Sequence, residues 1–175
     1  MAANTWNGYN SAISFAANKV MLGLFNAGTR VLRVSRAGLL NNQTAAVTGV
    51  ICFMEIRSYP ATFTWTGPTA VTPVALDTTN SALSSVTFGN SGTPGGSTGA
   101  VLRRVIWSSD EPAVSAATSD ELECFVPLNV IWDAGYGDAD VQKLARRQNE
   151  AFVVFNTSGA AGLVDAWCEF TDAAS

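Results

Sequence analysis

The sequence contains no histidine, and its three cysteines lie far apart along the chain. Without a histidine, catalysis by a serine–histidine pair is excluded, and a cysteine nucleophile would lack its usual base. Cys52, Cys124 and Cys168 form no C-x-x-C pair, so a zinc site is not expected. An odd number of thiols in apolar segments is typical of a reducing compartment such as a bacterial cytoplasm.

Motifs of other catalytic classes are equally scarce. The phosphate-binding pattern G-x-x-x-x-G-K-[ST] does not occur, and the glycine-rich stretch "TPGGSTGA" contains no lysine. Glu121 and Glu123 would share one face of a strand, but a glycosidase needs two carboxyl groups that converge across a cleft. Solvated or ion-paired acids are the commoner interpretation. We therefore expect no enzymatic activity, no catalytic residue and no cofactor.

Charged residues are few, at 14% of the chain against roughly 25% in a typical soluble domain. Because a soluble monomer usually carries interspersed surface charges, this deficit favours a chain that buries part of its surface against neighbours. An unusually uncharged monomer is the alternative. The net charge of −4 and the lack of a clustered basic tract argue against nucleic-acid binding.

The charges are divided unevenly along the chain. Residues 1–108 contain seven basic and two acidic side chains, whereas residues 109–175 contain three basic and twelve acidic ones. Nearly all the basic residues are arginine, which forms planar, bidentate pairs with carboxylates. The two halves are expected to attract each other, either within one molecule or between subunits.

No apolar run approaches the ~18–20 residues of a membrane-spanning helix, so no membrane partner is expected. The start of the chain also lacks the basic and apolar segments of a secretory signal. What the sequence does contain is the two-residue period of β-strands. In residues 49–58 and 162–170, every second side chain is apolar and would face a core.

Further strands are predicted at residues 19–26, 31–40, 101–107, 122–126 and 151–156. Turn residues separate these runs, as in "NAGT" at 26–29, "NNQT" at 41–44 and "NTSGAAG" at 156–162. Many short strands without a repeated helix predict an all-β chain. The expected fold is an antiparallel β-sandwich, jelly-roll-like, with an extended N-terminal arm.

The arm is predicted at residues 1–18, followed by a single β-sandwich domain at residues 19–175. Trp6, Tyr9 and Phe15, together with Ile13, are too apolar for a solvated tail, so the arm is expected to dock on its own domain or on a neighbour. Residues 88–100 are rich in glycine, serine and threonine, which predicts a flexible surface loop.

Three carboxylates, those of Asp133, Asp138 and Asp140, lie in the glycine-containing stretch "PLNVIWDAGYGDADVQ". The third, fifth and twelfth positions counted from Asp133 are glycine, glycine and leucine, which is not the ligand spacing of a helix–loop–helix calcium site. The two glycines instead favour a tight turn. Asp138 and Asp140 remain weak candidates for holding a cation. Residues 138–150 fit either a helix capped by Asp138 or an extended segment ending in a polar turn, and the extended form is favoured.

Three segments resemble a group of virion proteins of tailed bacteriophages that are encoded among head genes. They are residues 18–57 ("NKVMLGLFNAGTRVLRVSRAGLLNNQTAAVTGVICFMEIR"), 120–142 ("DELECFVPLNVIWDAGYGDADVQ") and 149–172 ("NEAFVVFNTSGAAGLVDAWCEFTD"). Together they cover more than half of the chain. The shared pattern is one of strands and turns and contains no catalytic signature.

The resemblance implies a structural role, most plausibly that of a capsid decoration or cement protein. Such a protein is expected to be a β-rich homotrimer on the outer surface of the major capsid protein lattice. The virion would then be its location, with assembly in the cytoplasm of the bacterial host. Its interface residues are predicted among the apolar side chains of the arm and the arginines: Trp6, Tyr9, Phe15, Arg30, Arg33, Arg36, Arg103 and Arg104.

Two alternatives remain open at the level of sequence. The chain could be another virion component, such as a head fibre, a tail protein or a host-adhesion module. It could also be a carbohydrate-binding β-sandwich in which Trp65 or Trp107 stacks against a sugar, although a tryptophan of this kind more often belongs to a core.

Overall fold

The computed structural model describes residues 4–42, 51–83, 85–108, 130–134, 144–158 and 162–173. Within these ranges the chain forms strands and no helix, and every strand pair is antiparallel. The strands are β1 (Asn4–Ser14), β2 (Lys19–Asn26), β3 (Val31–Asn41), β4 (Ile51–Tyr59), β5 (Thr64–Thr66), β6 (Thr69–Val71), β7 (Val74–Ala75), β8 (Val86–Asn90), β9 (Thr93–Gly95), β10 (Ala100–Ser108), β11 (Val130–Asp133), β12 (Leu144–Arg146), β13 (Ala151–Asn156) and β14 (Leu163–Ala173).

The strands form two large sheets and one short ribbon. Sheet A has the order β11-β3-β14-β1-β7, and β12 also pairs with β3. Sheet B has the order β10-β4-β13-β2-β8-β6, and β5 pairs with β9 in the ribbon. The consecutive strands β1 to β4 alternate between the two sheets, as do β13 and β14. The predicted all-β chain and its β-sandwich are confirmed.

The two-residue period explains how the sheets face each other. In β4, the side chains of Cys52, Met54 and Ile56 are buried, while Phe53 points outward. In β14, the alternate residues Val164, Ala166, Cys168 and Phe170 are buried in the same way. These apolar faces pack together into one core between the sheets, together with the buried residues of β2 and β3.

A second core lies on the outer face of sheet B. Val20, Ala151, Val153 and Phe155 point away from sheet A and are covered by Tyr59 and Phe63, with Trp65 of the ribbon packed against them. Strand β13 is therefore buried on both faces, and all six of its residues are inaccessible or nearly so. This is why residues 151–155 form a continuous apolar run instead of an alternating one.

The N-terminal segment differs from the predicted arm. Residues 4–14 form β1 within sheet A, between β14 and β7, with nine residues in register with β14. Trp6, Ile13 and Phe15 belong to the core between the sheets. The segment docks on its own chain because these side chains fill the inner face, and the strand's backbone hydrogen bonds pair with two neighbours.

Residues 88–100 also differ from the predicted flexible loop. Phe88 is fully buried in β8, β9 pairs with β5, and β10 begins at Ala100. The glycines permit close packing here: a Cβ atom on Gly89 or Gly96 would overlap the carbonyl oxygen of Thr69 or Thr62. Gly96 also has a φ of +86°, which favours glycine.

Two other predictions fall at the edge of the described ranges. The extended form favoured for residues 138–150 is confirmed where it is described, because residues 144–146 form β12 and a turn follows at residues 148–149. Residues 138–143 and the strand predicted at residues 122–126 lie outside the described residues, as do Asp138 and Asp140.

The close approach at Gly89 makes that glycine a sensitive position. We expect Gly89→Ala to lower the free energy of unfolding by about 1–3 kcal/mol, because the new methyl group overlaps a backbone oxygen that cannot rotate away. In Gly95→Ala the nearest atom is the Thr64 hydroxyl oxygen, 2.8 Å away on a rotatable side chain. Urea unfolding of both variants tests this difference, and equal losses would contradict it.

Candidate interaction surfaces

The described residues contain no group of three or more acidic, cysteine or histidine side chains that could hold a metal ion. They also contain no helix long and apolar enough to cross a membrane. Of the three cysteines, Cys52 and Cys168 are buried in the core. Burial raises the pKa of the Cys168 thiol well above its usual value, so this sulfur stays protonated.

The eight predicted interface residues fall into two groups. Trp6 and Phe15 are each 7% exposed and contribute to the core of their own chain, so they offer little surface to a neighbour. The other six reach the surface: Tyr9, Arg30, Arg33, Arg36, Arg103 and Arg104. Three of these six, Tyr9, Arg33 and Arg36, lie on the outer face of sheet A.

The strand β14 brings these three residues together. Trp167 pairs with Tyr9 on β1, and Glu169 pairs with Arg36 on β3. Arg33 is one row further along β3, opposite Thr171. We call this surface the Arg36 face and define it by Tyr9, Arg33, Arg36, Trp167 and Glu169. Aromatic and arginine side chains dominate it, a composition that is enriched in protein–protein interfaces.

One side of the Arg36 face is anchored by a buried carboxyl group. Asp165 is only 5% exposed although it lies on the outer side of β14. Its oxygens accept hydrogen bonds from the Tyr9 hydroxyl, from the Ala12 N–H at 2.8 Å and from the Asn42 side-chain amide at 2.8 Å. The hydrogen bond to Asp165 raises the pKa of Tyr9 to about 12, and burial and the charge of Asp165 add to the effect.

Ion pairs connect the basic and acidic halves of the sequence within the molecule. Arg30 Nη1 lies 3.1 Å from Asp172 Oδ2, and Arg36 Nε lies 3.2 Å from Asp133 Oδ2. The first pair joins the start of β3 to the end of β14, and its carboxylate is fully buried. In the described residues, pairing between the two halves therefore accounts for two of the predicted interface arginines, and a third, Arg104, pairs with Glu55. Arg33 makes no ion pair with another described residue.

A second surface lies at the β10 side of sheet B. Phe53 and Ile106 stand opposite each other on β4 and β10 and are 52% and 70% exposed. Val101 and Leu102 at the other end of β10 are also exposed, and Arg104 lies between them and Ile106. We call this surface the β10 edge and define it by Phe53, Val101, Leu102, Arg104 and Ile106.

The charge at the β10 edge is set by one buried glutamate. Glu55 Oε2 lies 2.7 Å from Arg57 Nη2, and Glu55 Oε1 lies 2.9 Å from Arg104 Nε. Burial opposes ionisation of Glu55, but the hydrogen bonds and charges of the two arginines outweigh it and hold the pKa of its carboxyl group below the usual value. Arg57 also stacks over the Phe155 ring at 4.1 Å. Two arginines share one carboxylate, so this group carries a net positive charge.

A third surface lies at the opposite side of the sandwich. Val74 and Leu76 are 69% and 58% exposed, and they are followed by the fully exposed Asp77. Hydrogen bonds from the Thr79 N–H and hydroxyl lower the pKa of Asp77, so it is ionised at neutral pH. We call this surface the β7 edge and define it by Val74, Leu76 and Asp77.

A groove of about 310 Å³ lies beside the β7 edge, and Thr72 and Thr87 make its lining partly polar. Its walls come from the ends of both sheets and from the segment that follows β7, and they include Trp6, Val71, Pro73, Leu83, Val86 and Phe88. At ~30 Å³ per water molecule of liquid, the groove has room for more than one aliphatic side chain.

Of the two tryptophans predicted as possible sugar-stacking platforms, only Trp65 has a side chain within the described residues. Trp65 is half-buried, packs against the second core and donates its indole N–H to the Ser91 carbonyl at 2.8 Å. Its ring also lies against Gly23 of β2, where a Cβ atom would not fit. These contacts give Trp65 a packing role. The side chain of Trp107 lies outside the described residues.

Comparison of the chain with protein-family models, with curated proteins and with solved structures gives no match. The grounds for a functional proposal are therefore the surfaces of the described residues and the resemblance of the three sequence segments.

The Tyr9–Asp165 hydrogen bond should make stability depend on alkaline pH. A pKa raised from 10.0 to about 12 means that folded Tyr9 holds its proton more tightly than unfolded Tyr9. Its contribution is then complete below pH 10 and is lost as the pH rises towards 12. Because Tyr9 is half-exposed, solvent screening limits the effect to about 1 kcal/mol or less.

Urea unfolding of the wild-type chain and of Tyr9→Phe, at neutral pH and across this alkaline range, measures the contribution. The wild-type chain should lose more stability than the variant as the pH rises. Parallel losses in the two proteins would show that the hydrogen bond does not couple folding to the ionisation of Tyr9.

Proposed function

We propose that this chain is a structural virion protein, a capsid decoration or cement protein that binds the outer surface of the major capsid protein lattice and stabilises the head. The observation that carries the proposal is the Arg36 face, on which aromatic side chains and arginines lie on the solvent-facing side of a rigid sheet. The resemblance of residues 18–57, 120–142 and 149–172 to phage head-region proteins supports it.

The Arg36 face has the properties that a docking surface requires. It is built on three adjacent strands in the middle of sheet A, β1, β14 and β3. It is fixed, because Tyr9 is bonded to Asp165 and Arg36 is bonded to Asp133. Side chains that are ordered before binding lose less conformational entropy when a partner covers them. The Arg36 face is therefore the surface that lies against the shell.

The protein would stabilise the head by burying interface area and by binding at several points at once. A standard protein–protein interface buries ~800 Å² on each partner, which is about a tenth of the 9127 Å² accessible surface of this chain. A subunit over a junction adds such an interface to several capsid proteins at once. A homotrimer would repeat the attachment three times and gain avidity without a new kind of contact.

Truncation of an arginine on the Arg36 face should weaken shell binding more than folding. Arg33→Ala is the more informative variant, because Arg33 has no ion pair among the described residues. Its loss should change the free energy of unfolding by no more than ~0.5 kcal/mol. A buried interface arginine is commonly worth 2 kcal/mol or more, so the affinity for shells should fall about tenfold or more. Arg36→Ala should act similarly, with a small further loss of stability.

The measurement is rebinding of each purified variant to heads from which the protein has been stripped, with urea unfolding of the same samples. Arg147→Ala, which removes an exposed arginine from the turn after β12, is the matched control and should rebind normally. Copy number on intact virions gives a second readout. A few copies per particle, or equal effects of all three variants on binding, would contradict a cement role.

A further inference from the structure

The exposed apolar side chains are concentrated at the two lateral ends of the sandwich. Among the described residues, eight large hydrophobic side chains are exposed, and six of them belong to the β10 edge or the β7 edge. At the first end, Arg103 Nη1 donates to the Ile131 carbonyl and joins β10 to β11. At the other, two residues link β6 to β7. Each end thus includes one margin of each sheet.

The two ends are too far apart to meet within one chain. Sheet B has β10 at one margin and β6 at the other, five strand spacings away. At ~4.8 Å per spacing the separation is about 24 Å. Neither edge can cover the other in the same molecule, so among the described residues one edge can meet the other only in a second molecule.

The two edges differ in the sign of their charge. Arg104 is 79% exposed at the β10 edge, and the group formed by Arg104, Arg57 and Glu55 is positive. The β7 edge ends in the ionised and fully exposed Asp77. Apolar side chains accompany the charge on both edges, and the groove beside the β7 edge can receive a protruding side chain such as Ile106.

We infer that copies of this chain associate head to tail, with the β10 edge of one copy packed against the β7 edge of the next. Ile106 and Phe53 cover Val74, Leu76 and the groove, and Arg104 approaches Asp77. A head-to-tail contact between unlike surfaces continues until the rotation closes a ring. The ring of three copies rests on the proposed function, whereas the contact itself does not.

The charges also disfavour the alternative in which like edges meet. A two-fold contact between β10 edges would bring two positive groups together, and one between β7 edges would bring Asp77 towards its own copy. Like charges at a contact disfavour that pairing. Each edge therefore repels its own kind and attracts the other, which also protects the long outer strand β10 from pairing with itself.

Two variants, each altered at one edge, test the contact. The first is Ile106→Asp, which places a carboxylate against the apolar side chains of the β7 edge. The second is the double substitution Val74→Asp with Leu76→Asp, which removes both apolar side chains of the β7 edge. All three positions are more than half exposed, so the folds should be retained. The mass of each protein in solution is measured by light scattering, without shells.

We expect the wild-type chain to have the mass of three or more copies and each variant alone to have the 18.3 kDa of one chain. An equal mixture should give a species of two chains and none larger, because the intact β10 edge of one variant meets the intact β7 edge of the other. Leu40→Ser, at an exposed residue on the inner strand β3, should leave the wild-type mass unchanged.

A wild-type chain that is monomeric at all concentrations would overturn the inference, as would a variant that keeps the wild-type mass. A variant that forms dimers alone would show that like edges meet, and a mixture that stays monomeric would show that the edges are not partners. Shell binding separates this result from the proposed function. An oligomer that ignores shells contradicts only the function, and a monomer that binds them contradicts only the contact.

Discussion

The fold depends on the burial of β13 on both of its faces. Phe152 and Val154 fill the space between the sheets, while Val153 and Phe155 need a second cover on the outside. Trp65 of the ribbon and Phe63, the residue just before β5, supply that cover by packing against the outer face of sheet B. Because the ribbon reaches only part of this face, the β10 edge beside it stays exposed. The burial of β13 thus determines which parts of the outer face of sheet B are covered and which remain exposed.

Two nearly buried carboxylates hold neighbouring side chains in place on the outer faces of the sheets. Glu55 and Asp165 lie on the outer faces of the two sheets and are nearly buried, yet each is surrounded by donors. Such clusters cost little conformational freedom once formed, and they hold Arg57, Arg104 and Tyr9 in place. A surface whose arginines and tyrosine are already positioned suits a protein that works by attachment.

The strands were predictable where the side chains alternate, as in residues 49–58 and 162–170. The first strand was not predictable, because its inner positions include Gly8, which faces the Phe88 ring, and Asn10, and because a bulge after Asn10 shifts the phase before Ile13. The prediction of a flexible loop at residues 88–100 was wrong for a related reason. The segment has the composition of a flexible loop, but its glycines permit close packing. Of the predicted interface residues, the sequence placed Arg33 and Arg36 on a strand and Tyr9 in the arm, and it could not show that β14 brings the three to one face. The two edges depend on strand order, which no local pattern contains.

If the protein attaches to a capsid shell as proposed, the stability of the head should depend on its presence. The decisive measurement is the temperature at which DNA-filled heads release their DNA, compared for heads stripped of this protein and for the same heads after the purified chain is added back. We expect a lower release temperature for stripped heads and full recovery after addition. Identical release temperatures for stripped and decorated heads would contradict this expectation.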